Sequence, residues 1–275
     1  GNPVQVGTDA RGALFSFPGR DAAVQAMTNN GTLLDPIEAR PNAPATNPNL
    51  ERPTSSGSDK LIGGEGNDTL TSTTSASTLS GGAGNDSITG GNGNDILDGG
   101  SGNDTLTGGN GSDDYRVDSS GDVVIETAAS GSDSVYTSIS YTLPTQVENL
   151  FLSGSATSGT GNELDNQLTG NDGNNVLTGG VGNDVLFGNF GDATLNGGEG
   201  SATYIYIAGT GDVTIQDAAN PSDMDRLVLN GDLSPADITF NRSSTAPDDL
   251  IAITTSGDRS VIEDYFSNGS AGVDT

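Results

Sequence analysis

In the stretch "GGAGNDSITGGNGNDILDGGSGNDTLTGGNGSDDYR", residues 81–116, an aspartate returns every nine residues as Asp86, Asp95, Asp104 and Asp113. The phrases "GGEGNDTLT" from Gly63 and "GGVGNDVLF" from Gly179 place Asp68 and Asp184 in the same way. Each aspartate holds place six of a phrase with glycine at places one, two and four and an apolar residue or tyrosine at place eight. Carboxylates brought into register repel one another unless a cation lies between them. The chain has 37 acids against nine bases, a formal charge of -28, and neither histidine nor cysteine. Thiolate and imidazole metal sites, disulfides and thiol redox chemistry are therefore excluded. Calcium, a hard cation satisfied by carboxylate and carbonyl oxygens, is the ion this inventory allows.

The rest of the composition agrees. Only 31% of the 275 residues are hydrophobic and 5% aromatic, and Leu, Ile, Val and Phe make up about a fifth, near the level at which a highly charged chain stays disordered. A conventional core is not expected, and something positive must offset the self-repulsion. The same charge repels nucleic acid and anionic membrane. No apolar run approaches the length of a membrane span, so membrane insertion is not expected. The opening "GNPVQVGTDARG" lacks the apolar region of a secretory signal. The abundance of Gly, Asn, Asp, Ser and Thr favours an exported protein whose export signal lies elsewhere in a longer chain.

The elements that must position the aspartates follow from the period. Complete phrases begin at Gly63, Gly81, Gly90, Gly99, Gly108 and Gly179. "STTSASTLS" at 72–80 keeps the length and the place-eight Leu79 but loses the glycines and the aspartate. A second block runs from Gly161 as "GNELDNQLT", "GNDGNNVLT", "GGVGNDVLF", "GNFGDATLN" and "GGEGSATYI", with Asn166, Asn175, Asp184, Ala193 and Ala202 at place six. Both blocks end in a tyrosine, Tyr115 or Tyr204, followed by "SSGDVVIE" or "GTGDVTIQ" and then by alternating β-type sequence.

The expected division is a strap or cap with a Pro-rich linker over 1–57, a first roll over 58–118, a β connector over 119–160, a second roll over 161–207 and a C-terminal β flank over 208–275. Within the strap, "PVQV" and "ALFSF" read as strands, and Asp21 caps a helix that Asn30-Gly31 stops. The strand pieces could add to exposed strands of the flanks, in this molecule or a neighbour, or cap the first coil at Leu61-Ile62.

Glycines at places one, two and four permit positive φ and turn carbonyl oxygens inward. The polar-apolar-polar residues that follow make a three-residue strand whose middle side chain points in. Repeated, turn and strand wind into a coil with two phrases per circuit, so phrases n and n+2 stack and their aspartates face one another.

The complete phrases resemble the RTX, or haemolysin-type calcium-binding, repeat family: strongly over 58–118, with degraded ligands over 161–207, and more loosely through "VENLFLSG" and "DDLIAITTSGDRSVIEDYF" in the flanks. The resemblance implies an all-β fold of tandem parallel β-rolls with flanking β-strand and hairpin regions, calcium-dependent folding, and export by a type I secretion system. Carried over by residue, it implies metal ligation by Asp68, Asp86, Asp95, Asp104, Asp113 and Asp184, with several calcium ions mainly in the first block. Asp86 would face both Asp68 and Asp104, Asp95 would face Asp113 and Ser77, and Asp184 would lie between Asn166 and Ala202. Asn166 and Asn175 could still offer amide oxygens, while the alanines could not.

Other features are weaker. There is no lysine-bearing phosphate loop and no EF-hand loop. Tyr115, Tyr204, Tyr206, Phe187 and Phe190 could stack on a sugar, but residues of this size more often cover the open end of a roll. Asp248-Asp249 and Glu263-Asp264 are carboxylate pairs with no catalytic context. The expectation is a non-enzymatic, calcium-binding structural segment of a secreted or cell-surface protein, such as an adhesin, surface-layer or matrix component, able to self-associate into fibres or layers. The alternatives are an accessory region of a larger secreted lipase, protease or polysaccharide-active enzyme, or a surface whose threonine rows bind ice or carbohydrate.

Overall fold

The computed structural model describes residues 60–73, 75–126, 131–207, 209–216, 224–230 and 257, and further strands at 4–9, 12–16, 50–51, 238–242, 250–254 and 259–262. The expected helix near Asp21, most of the Pro-rich segment and the pairs Asp248-Asp249 and Glu263-Asp264 lie outside the described residues. Every regular element among the described residues is a strand. The chain divides into two compact units, 1–131 and 132–275.

In unit one, β1 (Val4–Asp9) and β2 (Gly12–Ser16) pair with each other in antiparallel fashion. The two apolar pieces of the strap are thus partners to one another. Then come β3 (Leu50–Glu51), β4 (Lys60–Glu65), β5 (Thr69–Thr71), β6 (Thr78–Ala83), β7 (Ser87–Asn92), β8 (Ile96–Ser101), β9 (Thr105–Asn110), β10 (Asp114–Val117) and β11 (Val123–Ile125). Even and odd strands form separate parallel sheets, β10-β8-β6-β4 and β11-β9-β7-β5-β3. Partners lie eighteen residues apart, as in Leu79 with Leu97 and Ile88 with Leu106. Two phrases therefore make one circuit. β3 pairs with β5 through Leu50 and Leu70, a pairing that the flanking prolines concealed in the sequence.

The core is as thin as the composition requires. Place-eight residues form two files, Leu70-Ile88-Leu106-Val124 and Leu79-Leu97-Tyr115, all buried. Burying a leucine contributes about 2 kcal/mol, and each phrase supplies one such residue. Strands β6 to β9 are six residues long, not three. Pairing continues through places one to three of the next phrase, as in Gly91 with Gly109 and Asn92 with Asn110, because coils without side chains at places one and two approach closely enough to bond there.

Unit two repeats the plan with β12 (Ser134–Thr137), β13 (Tyr141–Thr142), β14 (Asn149–Leu152), β15 (Ser158–Thr160), β16 (Gln167–Thr169), β17 (Val176–Val181), β18 (Val185–Phe187), β19 (Ala193–Glu199), β20 (Thr203–Ile207), β21 (Val213–Ile215) and β22 (Arg226–Asn230). One parallel sheet runs β22-β20-β18-β16-β14-β12. Its inner file is Val135-Leu150-Leu168-Leu186-Tyr204-Leu227. The facing sheet, β13-β15-β17-β19-β21, continues into β25 (Arg259–Ile262), β24 (Leu250–Thr254) and β23 (Ile238–Arg242), the last three antiparallel.

Tyr115 and Tyr204 are buried in the files, and Tyr206, two residues past Tyr204 on β20, is buried as well. Phe187 and Phe190 are not. Phe187 stands beside Thr169 and Ile205 on the outer face of its sheet, one place past the buried Leu186, and Phe190 is 51% exposed.

Candidate calcium-binding turns

Each place-six aspartate lies in the bend between strands of opposite sheets. The bend is fixed by two side-chain ladders of opposite direction. At place six the later residue's carboxylate accepts from the earlier residue's backbone: Asp86 Oδ1 from Asp68 N–H at 2.7 Å, Asp95 Oδ1 from Ser77 N–H at 2.6 Å, Asp104 Oδ1 from Asp86 N–H at 2.7 Å, and Asp113 Oδ1 from Asp95 N–H at 2.7 Å. At place five the earlier side chain accepts from the later backbone, as in Asn67 Oδ1 from Asn85 N–H and Asn85 Oδ1 from Asn103 N–H, both 2.8 Å. The place-five asparagines therefore do more than suit a turn: they tie each turn to the next.

The second carboxylate oxygen has a different role. Oδ2 of Asp86, Asp95, Asp104 and Asp184 is buried and accepts no hydrogen bond, although the residues are at most 3% exposed. An ionised carboxylate in that position is strongly disfavoured unless a positive charge meets it. Burial pushes Asp95 up to about 7; the hydrogen bond from Ser77 opposes the rise and the charge of Asp113 adds to it. Burial likewise raises Asp104 and Asp184 to about 6, and raises Asp86 and Asp113 above the usual carboxylate range.

The place-one glycines show where these oxygens converge. A Cβ on Gly81 would lie 2.7 Å from the carbonyl oxygen of Gly99 and would overlap Asp86 Oδ2. On Gly90 it would lie 2.8 Å from Gly108 O and overlap Asp95 Oδ2, and on Gly179 it would lie 2.5 Å from Gly197 O and overlap Asp184 Oδ2. Place one is glycine for room, while places two and four carry the positive φ, as in Gly82 (113°) and Gly84 (133°). The turn thus gathers a carboxylate oxygen with its own acceptor unmet and a carbonyl oxygen of the stacked phrase around one small cradle. Hard oxygen donors of this kind fit calcium.

A model of the RTX calcium-binding nonapeptide repeat, in four copies, matches residues 54–74, 71–106, 80–115, 90–124 and 160–195. This chain carries RTX repeats. No curated protein matches it. RTX repeats bind calcium, and the rolls built from them are structural calcium-binding units rather than catalytic ones.

The structure brings Asp68, Asp86, Asp95, Asp104 and Asp113 of the RTX chain into two columns, with Ser77 below Asp95 as the spacing predicts. In unit two, Asp184 Oδ1 accepts from Asn166 N–H at 2.7 Å. Asn166 and Asn175 are buried, and their amides donate to carbonyls of the preceding coil: Asn166 Nδ2 to Val147 O and Glu148 O at 3.2 Å each, and Asn175 Nδ2 to Ala156 O at 3.0 Å.

Four further acids join these turns. Asp122 Oδ1 accepts from Asp104 N–H at 3.0 Å, Glu148 accepts from Asp133 N–H at 2.8 Å, Glu126 accepts from the Tyr115 hydroxyl, and Asp225 Oδ1 accepts from Ala202 N–H at 2.9 Å. Asp122 and Glu148 stand eighteen residues from Asp104 and Asn166, so carrying the frame outward would have found them. Asp225 is twenty-three residues from Ala202, and no spacing signals it.

Proposed function

We propose that this chain is a calcium-binding structural segment of a secreted or cell-surface protein, an adhesin, surface-layer or matrix component, that folds on meeting calcium outside the cell. The observation that carries the reading is the repeated turn in which Oδ2 of Asp86, Asp95 or Asp104 is buried without a hydrogen-bond donor beside a place-one glycine. Asp68, Asp86, Asp95, Asp104 and Asp113 serve as ligands in unit one and Asp184 in unit two, each through its carboxylate and the carbonyls of neighbouring phrases.

Cytosolic calcium is too dilute to fill sites with dissociation constants of about 10⁻⁴ to 10⁻³ M, the class of extracellular modules, whereas millimolar external calcium fills them. A site at about ten times its Kd adds roughly 1.4 kcal/mol to the folded state. Several such sites in one cooperative roll decide between coil and fold. The role is non-enzymatic, supported by the absence of histidine and cysteine and by turns whose acids are spent on backbone and cation.

Self-association into fibres or layers belongs to the same proposal. Electron microscopy and light scattering of the chain, with millimolar calcium and with excess chelator, test it. Ordered assemblies present only with calcium support the reading, and a monodisperse monomer under both conditions refutes the assembly role.

A further inference from the structure

Two phrases at the start of the second roll depart from the family pattern in a correlated way. "GNELDN" and "GNDGNN" have asparagine at both place two and place six, where the complete phrases have glycine and aspartate. In the first, Asn166 Oδ1 accepts from Asn162 N–H at 2.7 Å, and Asn162 Oδ1 accepts from Leu164 N–H at 2.8 Å. Their amide groups converge on one carbonyl: Asn162 Nδ2 donates to Val147 O at 2.7 Å and Asn166 Nδ2 to the same oxygen at 3.2 Å. Asn162 Nδ2 also reaches Pro144 O at 2.7 Å.

The second phrase repeats the arrangement. Asn175 Oδ1 accepts from Asn171 N–H and Asn171 Oδ1 from Gly173 N–H, both at 2.8 Å. Asn171 Nδ2 and Asn175 Nδ2 donate to Ala156 O at 2.7 and 3.0 Å.

A carboxylate only accepts hydrogen bonds, while an amide accepts and donates. Asn166 Oδ1 occupies the cradle of Gly161 as Asp86 Oδ2 occupies that of Gly81: a Cβ on either glycine would overlap the oxygen. In the asparagine turn that oxygen already has its donor, and the amide groups are spent on the carbonyls of Pro144, Val147, Glu148 and Ala156 in the preceding coil. No charge is buried. The polarity toward the preceding coil is also reversed, since Asp86 accepts from Asp68 N–H whereas Asn166 donates to Glu148 O.

We propose that the paired asparagines Asn162/Asn166 and Asn171/Asn175 replace the cation rather than bind it, so that residues 147–178 form a metal-independent start for the second roll. The contrast with unit one rests on the calcium reading of the aspartate turns; the amide turns themselves do not.

Hydrogen exchange read by mass spectrometry on the full chain, in excess chelator and in millimolar calcium, tests this. In chelator, amides over 147–178 are expected to exchange at least about tenfold more slowly than those over 81–113, and calcium should change them little. Equal, fast exchange of both segments in chelator, with protection of 147–178 appearing only in calcium, overturns the proposal. A segment 81–113 that gains nothing from calcium would instead count against the calcium reading, leaving chelator-resistant protection at 147–178 as separate support here. The double variant Asn166→Asp/Asn175→Asp sets carboxylates against the carbonyls of Val147, Glu148 and Ala156. Loss of protection in chelator, whether or not calcium restores it, supports the role of the amides, and unchanged protection in chelator contradicts it.

Discussion

Asp104 Oδ1 accepts a hydrogen bond from the backbone N–H of Asp86, eighteen residues earlier, at 2.7 Å, while Asp104 Oδ2 is buried without a donor. One oxygen fixes the stacking of successive coils, and under the proposed function the other meets the cation. Removing the charge while keeping the shape should separate the two roles.

Asp95→Asn keeps an oxygen for Ser77 N–H but takes away the carboxylate charge in the middle of its column. Calcium affinity is expected to fall at least about tenfold, because charge-assisted contacts contribute roughly 1.5 to 3 kcal/mol. Calorimetric titration reads the change. An affinity equal to the parent's would remove Asp95 from the ligand set.

Gly81→Ala should be far more damaging than Ala83→Ser. A methyl group at place one overlaps Asp86 Oδ2 and presses on Gly99 O, whereas place three carries Glu65, Ala83, Asn92, Ser101 and Asn110 without a common requirement. Thermal unfolding in calcium should show a loss of about 2 kcal/mol or more for Gly81→Ala, as expected of overpacking, and almost none for Ala83→Ser. Similar melting temperatures for the two variants would mean that the cradle tolerates a side chain.

Acidity should act in opposite directions with and without metal. Burial raises Asp95 to about 7 and Asp104 and Asp184 to about 6, above an unfolded value of about 3.9. A group raised on folding contributes stability that is complete below its unfolded pKa and is lost as pH rises through its folded pKa. In chelator, fold stability should therefore increase as pH falls from about 7.5 to about 4.5, while calcium affinity weakens over the same window because protons and the ion compete for the same oxygens. Calorimetry near pH 6.5, in buffers of different ionisation enthalpy, should detect proton release on binding. Affinity that is flat from about pH 5 to 8 would contradict the raised carboxylates.

Much of this was legible in the residues. The eighteen-residue stacking follows from a nine-residue phrase with one apolar place, and it correctly sets Ser77 below Asp95. The buried tyrosines at the ends of the blocks follow from the same beat. Three things were not legible. In the complete phrases glycine recurs at place one as at places two and four, so those phrases alone could not say that its reason at place one is space rather than φ. Phe187 and Phe190 read as covers for the open end of a roll because they are large, yet alternation puts Phe187 on the opposite face from Leu186, and only the strand register shows it. The asparagines of the second block looked like weakened aspartates. Their donors matter as much as their oxygens, and what those donors reach depends on a preceding coil, Pro144 to Ala156, that carries no repeat signal.

Calcium is expected to complete the aspartate turns and thereby the fold of unit one. Far-ultraviolet circular dichroism of the chelator-stripped chain during a calcium titration, with magnesium as the control ion, reads this. A cooperative gain of β signal at millimolar or lower calcium, reversed by chelator and not reproduced by magnesium, is the predicted result. A spectrum already fully β in excess chelator, and unchanged by calcium, would mean that unit one folds without the ion.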